Sequence, residues 1–152
     1  MRAHELASPY PTVSADDDAL DAARLLVREQ LPVLLVLDRD DYPYAAVPSA
    51  RVISALLPWY MRDGPLLAAE VNDHFEEEAR EAMTGRPVAE WLPRGRVTPP
   101  VVGPDAAPSQ IAVLMARKDI PLVAVVERNG DKATLIGAVT AAALLEHFIG
   151  GS

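Results

Sequence analysis

Cysteine is absent from this sequence and basic residues are scarce, and each shortage excludes a class of function. Without cysteine the chain has no disulfide, no thiol nucleophile and no thiolate metal site. Its 14 Lys and Arg residues are outnumbered by 22 Asp and Glu residues, which gives a formal charge of −8 at pH 7. Because nucleic-acid affinity comes mostly from basic groups that neutralise phosphates, we expect no nucleic-acid partner.

Long apolar runs are missing as well. No run approaches the roughly 20 residues that cross a bilayer, and Met1–Tyr10 lacks the apolar run of a secretory signal. We therefore expect a cytoplasmic protein with no membrane contact. Half of the 152 residues are nevertheless hydrophobic, which suits one compact domain or two small halves that share a core.

The chain contains an internal repeat, which emerges when Pro32 is aligned with Pro121, 89 positions further on. After a three-residue insertion in the second copy, an offset of 92 aligns Ala46-Val47 with Ala138-Val139. The order of the surrounding patterns matches too, so the sequence predicts two copies of one structural unit. The other identical pairs are Asp16 and Asp105, Ala23 and Ala112, Arg28 and Arg117, Val36 and Val125, Arg39 and Arg128, and Ala50 and Ala142.

Each copy predicts the order strand, helix, strand, strand, helix. In the first copy, Asp16-Asp17-Asp18 suits the N-cap and first turn of a helix whose apolar residues recur at helical spacing. The continuous apolar run Val33–Leu37 predicts a buried strand, and Tyr44–Val47 predicts a second one. Pro48-Ser49 then opens a helix over Ala50–Leu57.

The second copy repeats this order. Asn129-Gly130 between two apolar runs predicts a hairpin turn, and Thr140 is placed to cap the final helix. The predicted elements are a helix over Ser109–Lys118, strands over Leu122–Val126 and Thr134–Val139, and a helix over Ala141–Phe148. Each copy also begins with a short extended stretch, Thr12-Val13 or Val101-Val102, preceded by a short helix, Ala3–Leu6 or Val88–Trp91.

A segment without a counterpart separates the copies. The chain therefore divides into repeat 1 (residues 1–58), a helical linker (59–87), repeat 2 (88–149) and a flexible tail (150–152). Apolar residues at three- and four-residue spacing from Leu66 to Met83, with acidic residues between them, predict an amphipathic helix. This helix either covers an apolar surface of the pair or contacts a partner through Trp59, Tyr60 and Phe75.

No residue pattern in the chain points to catalysis. His74 and Glu78 lie four residues apart, as metal ligands on a helix do, but no second pair supports them and we expect no metal. His4 and His147 have no serine or carboxylate at a spacing that suggests a triad. A glycine-rich phosphate loop and a dinucleotide fingerprint are also missing. We therefore expect a protein that is not an enzyme.

The two units resemble a CBS-domain pair, also called a Bateman module. The resemblance rests on an aliphatic-Pro-aliphatic strand and a later strand-to-helix junction in each copy: Leu31–Asp38 with Ala45–Pro48, and Ile120–Glu127 with Gly137–Thr140. It implies an α+β fold in which two β-α-β-β-α repeats pack as a pseudo-twofold disc with two clefts. In this family such clefts often bind AMP, ADP, ATP or S-adenosylmethionine, and their occupancy alters a partner domain or enzyme.

The resemblance also implies which residues line the clefts. The usual junction of the family carries a glycine, then Val or Ile, then Thr or Ser, and finally an aspartate that binds the ribose hydroxyls. Thr140 is therefore either a phosphate contact or only the cap of its helix. The implied lining residues are Val102, Ile120, Pro121, Gly137, Val139 and Thr140 in the second copy, and Val13, Leu31, Pro32, Val47 and Arg51 in the first.

Both junctions depart from the usual pattern of the family. The second copy has Ala143 at the aspartate position. The first copy has Ala45 for the glycine, Pro48 for the hydroxyl residue and Arg51 for the aspartate. Neither cleft therefore has the ribose-binding carboxylate, which weakens the expectation of ordinary nucleotide binding.

Two functions of different classes follow from the resemblance. The first is a regulatory, ligand-sensing homodimer in which an adenosine-containing ligand shifts the population of disc geometries, and an unidentified effector protein reads the change. The second is a structural or interaction homodimer whose ligand clefts are degenerate. The retained Gly137 and Thr140 favour the sensor, and the missing carboxylates favour the interaction protein.

Overall fold

The predicted order of elements is confirmed in both copies. The computed structural model of the protein describes residues 1–57, 73–92 and 98–150. The first half contains α1 (Ala3–Leu6), β1 (Thr12–Ser14), α2 (Ala19–Arg28), β2 (Val33–Leu37), β3 (Pro43–Pro48) and α3 (Ser49–Leu56). The rest contains α4 (Asp73–Met83), α5 (Val88–Trp91), β4 (Val101–Val102), α6 (Pro108–Lys118), β5 (Leu122–Asn129), β6 (Lys132–Thr140) and α7 (Ala141–Phe148).

Two three-stranded sheets carry the fold, in the orders β1-β2-β3 and β4-β5-β6. In each sheet the first pair of strands is parallel and the second is antiparallel. The antiparallel ladders are both irregular at equivalent positions, between Val36 and Leu37 and between Val125 and Val126. The second hairpin is longer and turns at Gly130, whose φ of 65° suits glycine. The repeat seen in the sequence is therefore a repeat of backbone geometry.

Each central strand is buried on both faces, which explains its unbroken apolar sequence. Successive side chains of a strand point to opposite faces, so Leu34 and Val36 enter the core of the first half. Val33 and Leu35 point the other way, into a cluster that the two halves share. That shared cluster consists of the buried residues Val33, Leu35, Ala46, Ile120, Leu122 and Ala138.

The two short helices are exchanged between the halves. Ala3 and Leu6 of α1 are buried in the core of the second half, whereas Val88 and Trp91 of α5 are buried in the core of the first. The backbone contacts match as well. The N–H groups of Ala3 and His4 donate to the carbonyls of Ala106 and Pro104, both at 2.9 Å. Those of Val88 and Ala89 donate to the carbonyls of Asp17 and Ala15, at 2.8 and 2.9 Å.

The expected capping role of Asp16-Asp17-Asp18 is only partly confirmed. Asp18 is the residue that precedes α2, but its side chain does not cap the helix. Its carboxylate accepts the backbone N–H of Gly85 at 2.7 Å, because the exchanged segment before α5 lies beside it. Asp17 accepts the N–H of Ser14 at 2.8 Å, and Asp16 pairs with Arg39 at 3.1 Å. The aspartates therefore tie three segments together.

The linker helix is described from Asp73 onward as α4. Residues 58–72, which include Trp59 and Tyr60, lie outside the described residues, as does the side chain of His74. Phe75 is half-buried and Met83 packs against the core of the first half, while the intervening glutamates are exposed. Within the described ranges, no helix combines the length and the apolar character that a bilayer crossing requires.

The exchange predicts that a residue of α1 stabilises the second half of the protein. Leu6 is 8% exposed, so Leu6→Ala leaves a cavity and is expected to lower the free energy of unfolding by about 2 kcal/mol or more. Urea unfolding measures this change. The control is Leu145→Ala, the same substitution at a residue that is 60% exposed. Equal effects of the two substitutions would contradict the burial of Leu6 in the core.

Candidate ligand-binding site

The segment between α1 and β1 passes between the two halves and pairs with β6. The N–H of Ser8 donates to the carbonyl of Ala138 at 3.0 Å, and the N–H of Ala138 donates to the carbonyl of Ser8 at the same distance. The approach leaves no room at residue 137, where a Cβ would lie 2.7 Å from the Ser8 carbonyl oxygen. Gly137 is therefore required by a close contact within the chain itself.

Tyr10 fastens the same segment to the first half. Its hydroxyl donates to the carbonyl of Val33 at 2.6 Å and accepts the N–H of Val33 at 3.3 Å. The ladder between β1 and β2 begins only at Thr12 and Leu35, so the outward amide groups of Val33 have no strand partner there. Burial raises the pKa of Tyr10, and its backbone hydrogen bond opposes that rise. The Tyr10 hydroxyl therefore makes the two hydrogen bonds to Val33 that a neighbouring strand would otherwise make.

A groove of about 1130 Å³ opens beside this segment and is lined by both halves. Pro9, Tyr10 and Thr12 form one part of its wall, the turn between β2 and β3 forms another, and the hairpin of β5 and β6 forms the third. The wall carries charges of both signs, so it offers donors and acceptors to a polar ligand. The charged lining residues are Asp38, Arg39, Asp40, Asp41, Arg128, Asp131 and Lys132.

The two arginines of the groove occupy equivalent positions in the two copies. Arg39 contacts Asp16, with 3.1 Å between Nε and Oδ2. Arg128 lies over the ring of Tyr42, with its guanidinium carbon 5.7 Å from the ring centroid. We did not predict either arginine as a site residue. The signal was nevertheless present, because the repeat alignment pairs Arg39 with Arg128 at the strand ends that meet here.

The residues predicted for the second cleft lie in several places. Val139 and Ile120 are buried at 0% and 2% exposure, and Gly137 lines the groove. Val102 is half-buried and lines a separate cavity of about 460 Å³. Ile120 and Pro121 line a hollow of about 410 Å³ between α6 and α7. Among the described residues, these side chains do not share one cavity.

Thr140 stands at the junction of β6 and α7, as predicted. Its hydroxyl accepts the N–H of Ala143 at 3.2 Å, so it caps the helix. Pro121 is next to it, because the N–H of Ala141 donates to the carbonyl of Pro121 at 3.0 Å. Thr140 and Pro121 are both half-buried. They are therefore the two predicted residues of this cleft that lie side by side and are both accessible to a ligand.

The first junction has the same backbone arrangement with different side chains. The N–H of Ser49 donates to the carbonyl of Pro32 at 3.1 Å, which is the equivalent of the bond between Ala141 and Pro121. Pro32 and Arg51 are exposed. The other predicted residues of this cleft are core residues, each at most 8% exposed: Val13, Leu31 and Val47.

Comparisons with known proteins agree with this geometry. Residues 3–57 and 94–150 match the sequence model of the CBS domain. A CBS domain-containing protein of unknown function from Kribbella flavida DSM 17836 is 33% identical, the match covers 99% of both chains, and the TM-score is 0.85. No curated protein matches this chain significantly.

Two more distant structures were solved with nucleotides. CBSX2 in complex with AMP is 17% identical over 97% of this chain and 96% of its own, with a TM-score of 0.65. The CBS domain of a bacterial CNNM/CorC family Mg²⁺ transporter in complex with ATP is 15% identical over 100% of this chain and 89% of its own, with a TM-score of 0.66. At these identities the likeness concerns the fold alone.

The contact at Gly137 predicts a specific cost for adding a methyl group. Gly137→Ala places the new Cβ against the Ser8 carbonyl and is expected to lower the free energy of unfolding by about 1–3 kcal/mol. Gly103→Ala is the matched control, because a Cβ at residue 103 has no atom within 4 Å. Denaturant unfolding of both variants checks this. A Gly137→Ala variant as stable as the control would show that the segment at Ser8 lies elsewhere.

The buried phenol predicts a loss of stability at alkaline pH. Because the folded pKa of Tyr10 is raised, the folded protein keeps a proton that the unfolded chain releases near pH 10. The contribution is fully present below that pH and is lost as pH rises through the folded pKa. Tyr10→Phe should cost about 1 kcal/mol at neutral pH and should flatten the decline in stability that begins above about pH 10. Unchanged alkaline slopes in urea unfolding would refute this role.

Proposed function

Because the chain belongs to the CBS domain family, we propose that it is a regulatory module that senses an adenosine-containing ligand. The ligand class is AMP, ADP, ATP or S-adenosylmethionine. Its binding favours one arrangement of the two halves, and a partner protein reads that arrangement. The role is one of binding rather than catalysis, and the location we propose is the cytoplasm.

One observation carries this proposal, namely that the groove and the contact between the halves share the same segment. Pro9, Tyr10 and Thr12 line the groove. In the same segment, Ser8 is hydrogen-bonded to the second half and Tyr10 to the first. A ligand that displaces or tightens this segment changes how the halves sit on each other. Two structures of the same fold, one with AMP and one with ATP, support a nucleotide as the ligand.

We place the phosphate end of the ligand at the junction before α7. Thr140 offers a hydroxyl there, and the N-terminus of a helix favours negative charge. Pro121 lies beside it, and Gly137, three residues earlier on β6, lines the groove. The ribose then lies near Ala143, where this chain has a methyl group instead of a carboxylate. The nucleotide is therefore held without that pair of hydrogen bonds, and we expect weak binding.

A second candidate function is an interaction homodimer with degenerate clefts. The burial of Val139 and Ile120 favours it, since neither side chain reaches a ligand without rearrangement. The occupation of the face of Gly137 by Ser8 favours it too. Both candidates are homodimers, so dimerisation does not separate them, but nucleotide binding does.

Restoring the missing carboxylate tests where the ribose lies. Ala143→Asp should tighten the binding of AMP about tenfold, because a charged acceptor gains hydrogen bonds from the ribose hydroxyls. Ala142→Asp is the matched control, since it adds the same charge one position earlier on α7. Isothermal titration calorimetry with AMP and with 2′-deoxy-AMP measures the effect, and the gain should be smaller for the deoxy compound.

The two candidates predict different results in the same titrations. The sensor predicts that the native chain binds at least one of the four ligands and that Ala143→Asp improves nucleotide binding. If neither the native chain nor Ala143→Asp binds any of them at millimolar concentration, the sensor is wrong and the interaction homodimer stands. Equal gains for Ala143→Asp and Ala142→Asp would reject the proposed place of the ribose alone.

A further inference from the structure

The hairpin of β5 and β6 extends beyond its counterpart in the first half. Each of its two strands is three residues longer than the equivalent strand, β2 or β3. The added part, residues 127–136, is exposed except at Ala133 and Leu135, which are half-buried. Since the first half folds without such an extension, the core does not require it. The extension can therefore serve a role other than folding.

The outer edge of β6 lacks a neighbouring strand along this extension. β6 is the last strand of its sheet. Within the described residues, a segment pairs with this edge at one position, where Ser8 exchanges two hydrogen bonds with Ala138. The segment then turns to the first half, where the hydroxyl of Tyr10 bonds to Val33. The edge over residues 132–136 is therefore left open.

This open edge presents its backbone groups in a regular pattern. Residues of an antiparallel strand alternate between pairing with the neighbouring strand and facing away from it. Lys132 and Asn129 form the pair that closes the two-residue turn of the hairpin. That pair is bonded across the turn, so Ala133 and Leu135 turn their amide groups to the open side. Unpaired N–H and C=O groups of this kind are a template for an added strand.

The groove of about 1130 Å³ lies along the open edge. Residues 131–137 line it, and the turn between β2 and β3 forms another part of the wall. The groove therefore offers an extended peptide both a strand edge and a second wall. The junction at Thr140, where we place the phosphate of the nucleotide, lies at the other end of β6.

The charges of the groove favour a basic peptide. Arg39 is already paired with Asp16, which is not a lining residue. Across the described part of the chain, the carboxylates of Asp40, Asp41 and Asp131 form no ion pair. Opposite charges across an interface favour binding, so these carboxylates favour Lys or Arg on the peptide. The lining contains four acidic and three basic residues, namely Asp38, Asp40, Asp41 and Asp131, and Arg39, Arg128 and Lys132.

We propose that an extended, basic segment of a partner protein binds in this groove as an added strand on β6, at residues 132–136. The inference rests on the regulatory role proposed above and adds the chemistry of the partner that reads it. Backbone hydrogen bonds to Ala133 and Leu135 supply affinity, and the carboxylates at the two turns select basic side chains. The added strand also lies against Tyr10, which lines the same groove and belongs to the segment that joins the halves.

Amide hydrogen exchange tests the added strand directly. The probe is a short peptide in which valine alternates with lysine and arginine, and the control peptide has glutamate in place of both bases. In the free chain, the amides of Ala133 and Leu135 should exchange rapidly. The basic peptide at millimolar concentration should slow both at least tenfold, because their carbonyl and N–H groups become paired. Exchange that stays rapid at both residues would overturn the added strand.

A proline at the open edge provides a second test. Ala133→Pro removes an N–H group that the sheet does not use, so the hairpin should persist, as circular dichroism can verify. The affinity for the basic peptide, measured by fluorescence anisotropy, should fall at least tenfold. Ala133→Val is the matched variant, since it also enlarges the side chain but keeps the N–H group. Equal affinities of the two variants would contradict pairing through the backbone.

Removing one carboxylate tests the preference for a basic partner. Asp131→Asn should weaken the binding of the basic peptide about two- to fivefold, as expected for an exposed ion pair. Glu81→Gln removes the same charge from the exposed face of α4, away from the groove, and should not weaken it. Equal binding of the basic and the glutamate peptide would overturn the basic character of the partner.

The outcomes separate the inference from the function on which it rests. A chain that binds a nucleotide but no peptide keeps the proposed sensor and loses the added strand. A chain that binds the basic peptide but none of the four ligands keeps the added strand and loses the sensor. A chain that binds no peptide, and whose dimer dissociates with Ala133→Pro, would show that a second copy occupies the edge in place of a partner.

Discussion

The reciprocal exchange of α1 and α5 is the constraint on which the rest of this structure depends. Neither half has a complete core of its own, because Leu6 belongs to the second half and Trp91 to the first. Because of this exchange, the chain crosses between the two sheets. Ser8 and Tyr10 hold the crossing segment in place through hydrogen bonds to the second and the first half. Under the proposed function, a ligand in the adjacent groove would act on the segment that joins the two halves.

The sequence predicts the elements well because local rules decide them. Val33–Leu37 is apolar without interruption because its strand is buried on both faces, and Asn129-Gly130 turns because glycine accepts the backbone angle there. The exchange is not predictable in the same way, because nothing in the sequence of Ala3–Leu6 indicates which core these residues enter. Local sequence patterns also do not predict the role of Asp18, because its hydrogen-bond donor, Gly85, is far away in sequence.

The candidate site is less predictable than the fold. The residue pattern correctly predicts that Thr140 caps the last helix, and the structure adds that Pro121 lies beside it. The family pattern does not predict that Val139 is fully buried, because its exposure depends on the packing of both halves. It also says nothing of Arg39 and Arg128, which reach one groove only because the strand ends of the two copies meet there. The repeat alignment pairs these two arginines, but we did not predict either of them as a site residue.

Native mass spectrometry of the purified chain with added adenine nucleotides tests the central claim most directly, since one spectrum reports both assembly and ligand. The account predicts a species at twice 16.4 kDa that carries the added mass of a nucleotide, while a denatured control shows the bare chain. A dimer that stays empty with AMP, ADP, ATP and S-adenosylmethionine at millimolar concentration would contradict the sensor.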